Sequence, residues 1–129
     1  MNQMQPLYMQ VKDHILDNIQ SGAWAAGSRV PSENELVESF GISRMTANRA
    51  LRELSADGYL ARGGTFHELG EHEKGLADRS EAIRIAPESG LAWAARGNAY
   101  FLMSRYPEAV ADLRKAAELL PDDRDTRDL

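Results

Sequence analysis

Near the start of the chain, apolar residues recur at helical rather than alternating spacing. Tyr8, Val11, Ile15 and Ile19 share one face and predict an amphipathic helix over 7–21. Ser21-Gly22 closes it, and Trp24 to Val30 reads as an irregular or short extended connection. Pro31-Ser32-Glu33-Asn34-Glu35 is a helix start, with Ser32 as cap and Glu35 three residues on completing a capping box. The short second helix turns Leu36, Val37 and Phe40 inward and stops at Gly41. Ser43 caps a third helix over 44–56, which carries Ala47, Ala50, Leu51 and Leu54 on one face and ends at Asp57-Gly58.

Beyond that point the pattern repeats. Shifted by 34 residues, Tyr59 falls on Trp93, Arg62 on Arg96, Gly63 on Gly97, Phe66 on Tyr100, Asp78 on Asp112, Ala82 on Ala116 and Pro87 on Pro121. This period and composition resemble the tetratricopeptide repeat, a helix–turn–helix unit. Gly97, Ala109 and Ala116 sit where paired helices approach closely, Trp93, Tyr100 and Tyr106 fill the spaces between, and Pro87 and Pro121 stop the second helix of each unit. Two units are expected, 59–89 and 90–123, after a first domain over 1–58. The residues after 121 are too few and too charged for a capping helix. Cover for the last unit's apolar side is expected from the first domain or from a second copy of the chain.

The third helix carries the candidate chemistry. Its outer face offers Arg44, Asn48, Arg49 and Arg52, with Ser43 and Thr46 at the tip, and no carboxylate falls within 43–52. Arginine pairs bidentately with guanine and asparagine with adenine, while short hydroxyls reach phosphates. Composition alone leaves an ordinary solvated helix face equally open. The surrounding string narrows the choice: Pro6-Leu7-Tyr8, Gly27-Ser28-Arg29-Val30-Pro31-Ser32-Glu33-Asn34-Glu35-Leu36, Phe40-Gly41-Ile42-Ser43-Arg44-Met45-Thr46 and Arg49-Ala50-Leu51-Arg52-Glu53-Leu54. Over about 6–66 it resembles the GntR family of bacterial transcription regulators, in the branch of the histidine-utilisation repressors. The resemblance implies DNA contacts by Ser32, Ser43, Arg44, Thr46, Asn48 and Arg49, with Arg52 on the same face. It also implies double-stranded DNA as partner, a palindromic operator and a homodimer. Met45 is read as packing.

The family's pattern breaks after the third helix. A β-hairpin wing follows there in the family, whereas Leu60-Ala61-Arg62-Gly63-Gly64-Thr65-Phe66 keeps the ends of the wing's sequence and lacks its middle. The same stretch, 59–69, is the first helix of the first repeat. Gly63-Gly64 suits a two-residue hairpin turn, and each glycine costs about 1 kcal/mol inside a helix. A wing would also uncover the apolar face of the helix near 73–86 (Leu76, Ile83, Ile85), a loss of several kcal/mol at about 25 cal/mol per Å². The larger effect predicts helix, hence an all-α chain with at most a short β-hairpin. The family's effector-sensing domain has no counterpart, so no effector response is expected to carry over. The join suggests recombination or an engineered fusion.

Bulk properties change this picture little. The chain has 129 residues, 43% apolar and without cysteine, so disulfides and thiolate chemistry are excluded. No secretory pattern is read at the start and no long apolar run occurs, so a cytoplasmic protein with no membrane partner is expected. Net charge is −5; residues 1–58 hold five Lys/Arg against seven Asp/Glu, so DNA affinity has to come from a local cluster. His67 and His72 lack helical metal spacing and a third ligand, and are read as a solvated face; no metal, cofactor or enzymatic activity is expected. Leu91, Asn98, Phe101 and Leu102 line either a groove for a protein or peptide partner or the packing between repeats, and no basic pair is placed to clamp a peptide carboxylate. The leading function is a sequence-specific DNA-binding regulator with an interaction module. The alternative is a repeat scaffold, or an engineered fusion, with little DNA affinity.

Overall fold

The computed structural model describes residues 5–22 and 31–120. Trp24 to Val30, Pro121 and the charged residues after it lie outside the described residues. The helices are α1 (Leu7–Gln20), α2 (Glu33–Phe40), α3 (Arg44–Glu68), α4 (His72–Ile85), α5 (Gly90–Leu102) and α6 (Tyr106–Leu119). Among the described residues there is no strand. The chain divides into two compact units that meet between Leu54 and Ser55.

In the first unit, Val11 and Ile15 of α1, Leu36 of α2, Ile42 of the turn, and Ala47 and Ala50 of α3 form the core, with Tyr8, Val37, Leu51 and Leu54 packed around it. The alanines let α3 approach its neighbours closely. Ser32 and Glu35 form the capping box of α2, and Gly41 ends it in the left-handed region at φ 63°, its N–H returning to Val37 O. That conformation favours glycine. Two residues expected inside are exposed. The core takes only Val11 and Ile15 from α1, and Ile19 lies a turn past the second of them. Phe40 is the last residue of α2, and its ring meets His14 edge-on at the surface, 5.1 Å between centroids.

The third helix does not end at 56. It continues through Asp57 and Gly58 to Glu68. A Cβ at Gly58 would meet nothing within 4 Å, so no tight turn calls for glycine there. Tyr59 and Leu60 pack instead on a core of Ala56, Ala82, Ile83, Ala86 and Ala92, together with Ile85 and Trp93. That burial exceeds the roughly 1 kcal/mol a glycine costs within a helix. The wing segment is therefore helix, followed by a turn at Leu69-Gly70.

The second unit repeats its own geometry at the offset read from the sequence. Arg62 donates through Nε and one Nη to the two oxygens of Asp78, both at 2.7 Å, and Arg96 makes the same pair with Asp112 at 2.7 and 2.9 Å. The Glu71 N–H reaches Phe66 O at 2.8 Å, as Arg105 N–H reaches Tyr100 O at 2.8 Å. Gly70 and Ser104 both take positive φ, 80° and 61°. Gly63 brings α3 onto α4 so closely that a Cβ would lie 3.0 Å from Gly75 O; at Gly97 it would lie 3.3 Å from Ala109 O. Ser89 caps α5, and Trp93 Nε1 donates to Pro87 O at 2.9 Å. Tyr106, expected as filler, is exposed and pairs at the surface with Phe101, 5.4 Å between centroids. No helix among the described residues is long and apolar enough to cross a membrane.

Candidate nucleic-acid interface

The entry to α3 collects the short polar groups. Ser43 Oγ accepts the Thr46 N–H at 3.1 Å and lies 2.9 Å from Thr46 Oγ1, so both hydroxyls sit at the tip of the helix. Ser32 is spent on capping α2, its Oγ accepting the Glu35 N–H at 3.2 Å, yet it stays exposed. The first turn of α3 contains no acidic residue, and the positive end of the helix dipole points outward there.

Arg44 is the exposed cation of this face. Its side chain is 66% accessible, and its contact with Glu33 Oε1 is a long one, 3.5 Å. Met45 stands beside it, 84% exposed, so its assignment to packing is overturned. The core of the first unit takes Ala47 and Ala50 from this helix, and Met45 is off that stripe.

The other expected readers are held within the protein. Asn48 is tied at both ends of its amide: Nδ2 donates to Glu33 Oε2 at 2.9 Å and Oδ1 accepts from Arg52 Nε at 2.6 Å. Arg49 donates from Nε to Glu53 at 2.8 Å, and its guanidinium lies over the Tyr8 ring, 3.8 Å from the centroid. Glu53 is buried and also receives Lys12 Nζ at 3.5 Å. A buried carboxylate needs such partners, so Arg49 and Lys12 are fixed by it. Arg44, Thr46, Asn48, Arg49 and Arg52 thus lie on one helix with Ser43 just before it, and Glu33 of α2 joins them across the turn. Sequence reading missed Glu33, Glu53 and Tyr8. Glu53 was legible as the i+4 partner of Arg49; Glu33 and Tyr8 arrive from other helices and gave no local signal.

In the second unit Leu91, Asn98, Phe101 and Leu102 all face solvent on α5. The two histidines are not a simple solvated face. Their Nδ1 atoms lie 2.9 Å apart, and His67 is half-buried with its Nε2 against Gly75. Burial, then the charge of Arg79 and the neighbouring His72, hold the His67 pKa below the usual histidine value. Among the described residues no group of three or more His, Cys, Asp or Glu is placed to hold a metal ion.

Comparison with known proteins matches residues 7–65 to the bacterial regulatory proteins of the gntR family and residues 90–123 to the tetratricopeptide repeat. The histidine utilization repressor of Pseudomonas aeruginosa is 50% identical over 93 residues, 72% of this chain and 36% of that protein. The histidine utilization repressor of Klebsiella aerogenes is 56% identical over 83 residues, 64% of this chain and 34% of that protein. The probable fructoselysine utilization operon transcriptional repressor of Escherichia coli is 40% identical over 75 residues, 56% of this chain and 31% of that protein. The chain spans about a third of the length of these curated relatives. No solved structure gives a significant match. The chain carries a GntR-family helix-turn-helix at its N-terminal end and a tetratricopeptide repeat behind it.

Proposed function

We propose that the protein is a DNA-binding transcription regulator, non-enzymatic and cytoplasmic, whose α3 enters the major groove of a palindromic operator as a homodimer. The observation that carries this reading is the carboxylate-free start of α3, from which Arg44 and Met45 project into solvent beside the Ser43 and Thr46 hydroxyls. Arginine at that position suits the O6/N7 edge of guanine, an apolar tip suits a thymine methyl, and the two hydroxyls suit phosphates. Arg52 and Asn48 act as a unit with Glu33, so Asn48 orients Arg52. The relatives named as repressors support the same function. Residues 59–89 form, with 90–123, two tetratricopeptide units whose α5 face holds a protein segment. The N-terminal unit and the repeats come from different parents, joined at the stretch compatible with both.

Arg44→Ala is expected to abolish binding to an operator selected from a random duplex library, with helical content unchanged by circular dichroism. Undiminished binding in a band-shift assay removes Arg44 from the interface.

One observation favours a second reading. Glu33 and Glu53 engage Asn48 and Arg49, and the first 58 residues are net acidic, so a repeat scaffold with little DNA affinity fits the same geometry. Such a scaffold binds duplex DNA weakly or not at all, whatever the salt.

A further inference from the structure

His67 and His72 share no face of a helix, yet the turn between them brings their rings together. His67 is the last residue but one of α3, and His72 opens α4. Backbone hydrogen bonds fix the turn: the Gly70 N–H reaches His67 O at 3.0 Å and the Glu71 N–H reaches Phe66 O at 2.8 Å, with Gly70 at φ 80°. Across it the two Nδ1 atoms lie 2.9 Å apart. His67 Nε2 is buried without a hydrogen-bond partner, against Gly75, where a Cβ would stand 2.6 Å away. The His67 ring is thereby held, and Nδ1 is the nitrogen it offers. His72 is exposed.

The fold asks for two rings here, not for two imidazoles. In the second repeat the same places are taken by Phe101 and Tyr106, with ring centroids 5.4 Å apart and planes at 66°. The imidazoles keep the separation, 5.2 Å, but tilt by 33° and meet nitrogen to nitrogen. The spacing of those nitrogens selects a coordination geometry. With metal–nitrogen bonds of about 2.0–2.1 Å, two ligands at a right angle stand about 2.9 Å apart, and two at the tetrahedral angle about 3.3 Å. The right angle belongs to tetragonal Cu2+, which also heads the affinity order of the first-row divalent ions.

We propose that His67 and His72 form a Cu2+ site, with both Nδ1 atoms cis in the ligand plane and water in the remaining positions. The ion takes the two Nδ1 lone pairs, and the proton held between the rings moves to an Nε2. The exposed His72 makes the rotation that aims both lone pairs at one point, since His67 is held. Bound copper ties the end of α3 to the start of α4.

The test is calorimetric titration of the metal-free full chain with copper(II) chloride and with zinc chloride, together with electron paramagnetic resonance of the one-to-one copper complex. Copper is expected to bind at least tenfold more tightly than zinc, and the spectrum to show two imidazole nitrogens. His72→Tyr and His67→Phe each copy the second repeat and keep a ring in place. Each should weaken copper binding at least tenfold and remove the second nitrogen from the spectrum, with His14 untouched in both. If His67→Phe does not fold, His72→Tyr decides alone, its position being exposed. No copper binding, copper held equally well by the variants, or zinc bound as tightly as copper overturns the site.

Discussion

Single side chains set the character of the proposed DNA face, and Glu33 matters as much as the cations. Its carboxylate stands between Arg44 and Asn48, where it opposes the approach of phosphate and fixes the amide that orients Arg52. Glu33→Gln keeps the shape and removes the charge. It is expected to raise affinity for random duplex severalfold and to narrow the gap between operator and random sequence, measured by fluorescence anisotropy at fixed salt. An unchanged ratio contradicts that role. A second residue-scale effect lies in the repeats. Ser104 holds φ 61°, where the equivalent loop of the first repeat has Gly70. Left-handed backbone costs a non-glycine residue about 1 kcal/mol, so Ser104→Gly should stabilise the fold by about 0.5–1 kcal/mol in urea unfolding. The exposure of Arg44 on the outer face of the third helix was legible from the helix-turn-helix string. Met45 was not, because an apolar residue at helical spacing reads as core until the actual stripe, Ala47 and Ala50, is known.

At the scale of elements, α3 is where local signals and packing disagree. Asp57-Gly58 is a helix stop by composition, and the helix runs through it because Ala56, Tyr59 and Leu60 are needed on the core of the second unit. Gly58→Ala should therefore stabilise by about 0.5–1 kcal/mol, since the position is helical and open. Destabilisation instead would mean that the chain turns there. Gly63→Ala should destabilise, because Gly75 O would lie 3.0 Å from the new Cβ. The repeat register was readable from matched small and aromatic residues; the choice of helix over hairpin for 59–68 followed from the apolar face that a hairpin would uncover. What spacing could not show is that His67 and His72 occupy the places of Phe101 and Tyr106, with ring centroids 5.2 Å apart against 5.4 Å. His67 has a folded pKa below its ordinary value of 6.5, so the unfolded chain binds the proton more readily. Its contribution is complete above about pH 6.5 and declines as the pH falls below that value. The double substitution His67→Phe, His72→Tyr should flatten the dependence of Tm on pH between about 7 and 5. An identical slope in both proteins contradicts this.

Across the whole molecule, two segments of different kinship, 7–65 and 90–123, share one chain. Both parts of the chain are net acidic, the first turn of α3 carries no acidic residue, and the segment that would supply a wing is helix. Affinity is therefore expected to be modest and to rest on a small number of phosphate contacts. The most direct test is a salt titration of binding to a palindromic operator and to a scrambled duplex. The proposed regulator should lose affinity linearly in log–log form as salt rises and should keep a preference for the operator throughout. Affinity that is indifferent to salt, or equal for the two duplexes, would contradict a groove-reading α3.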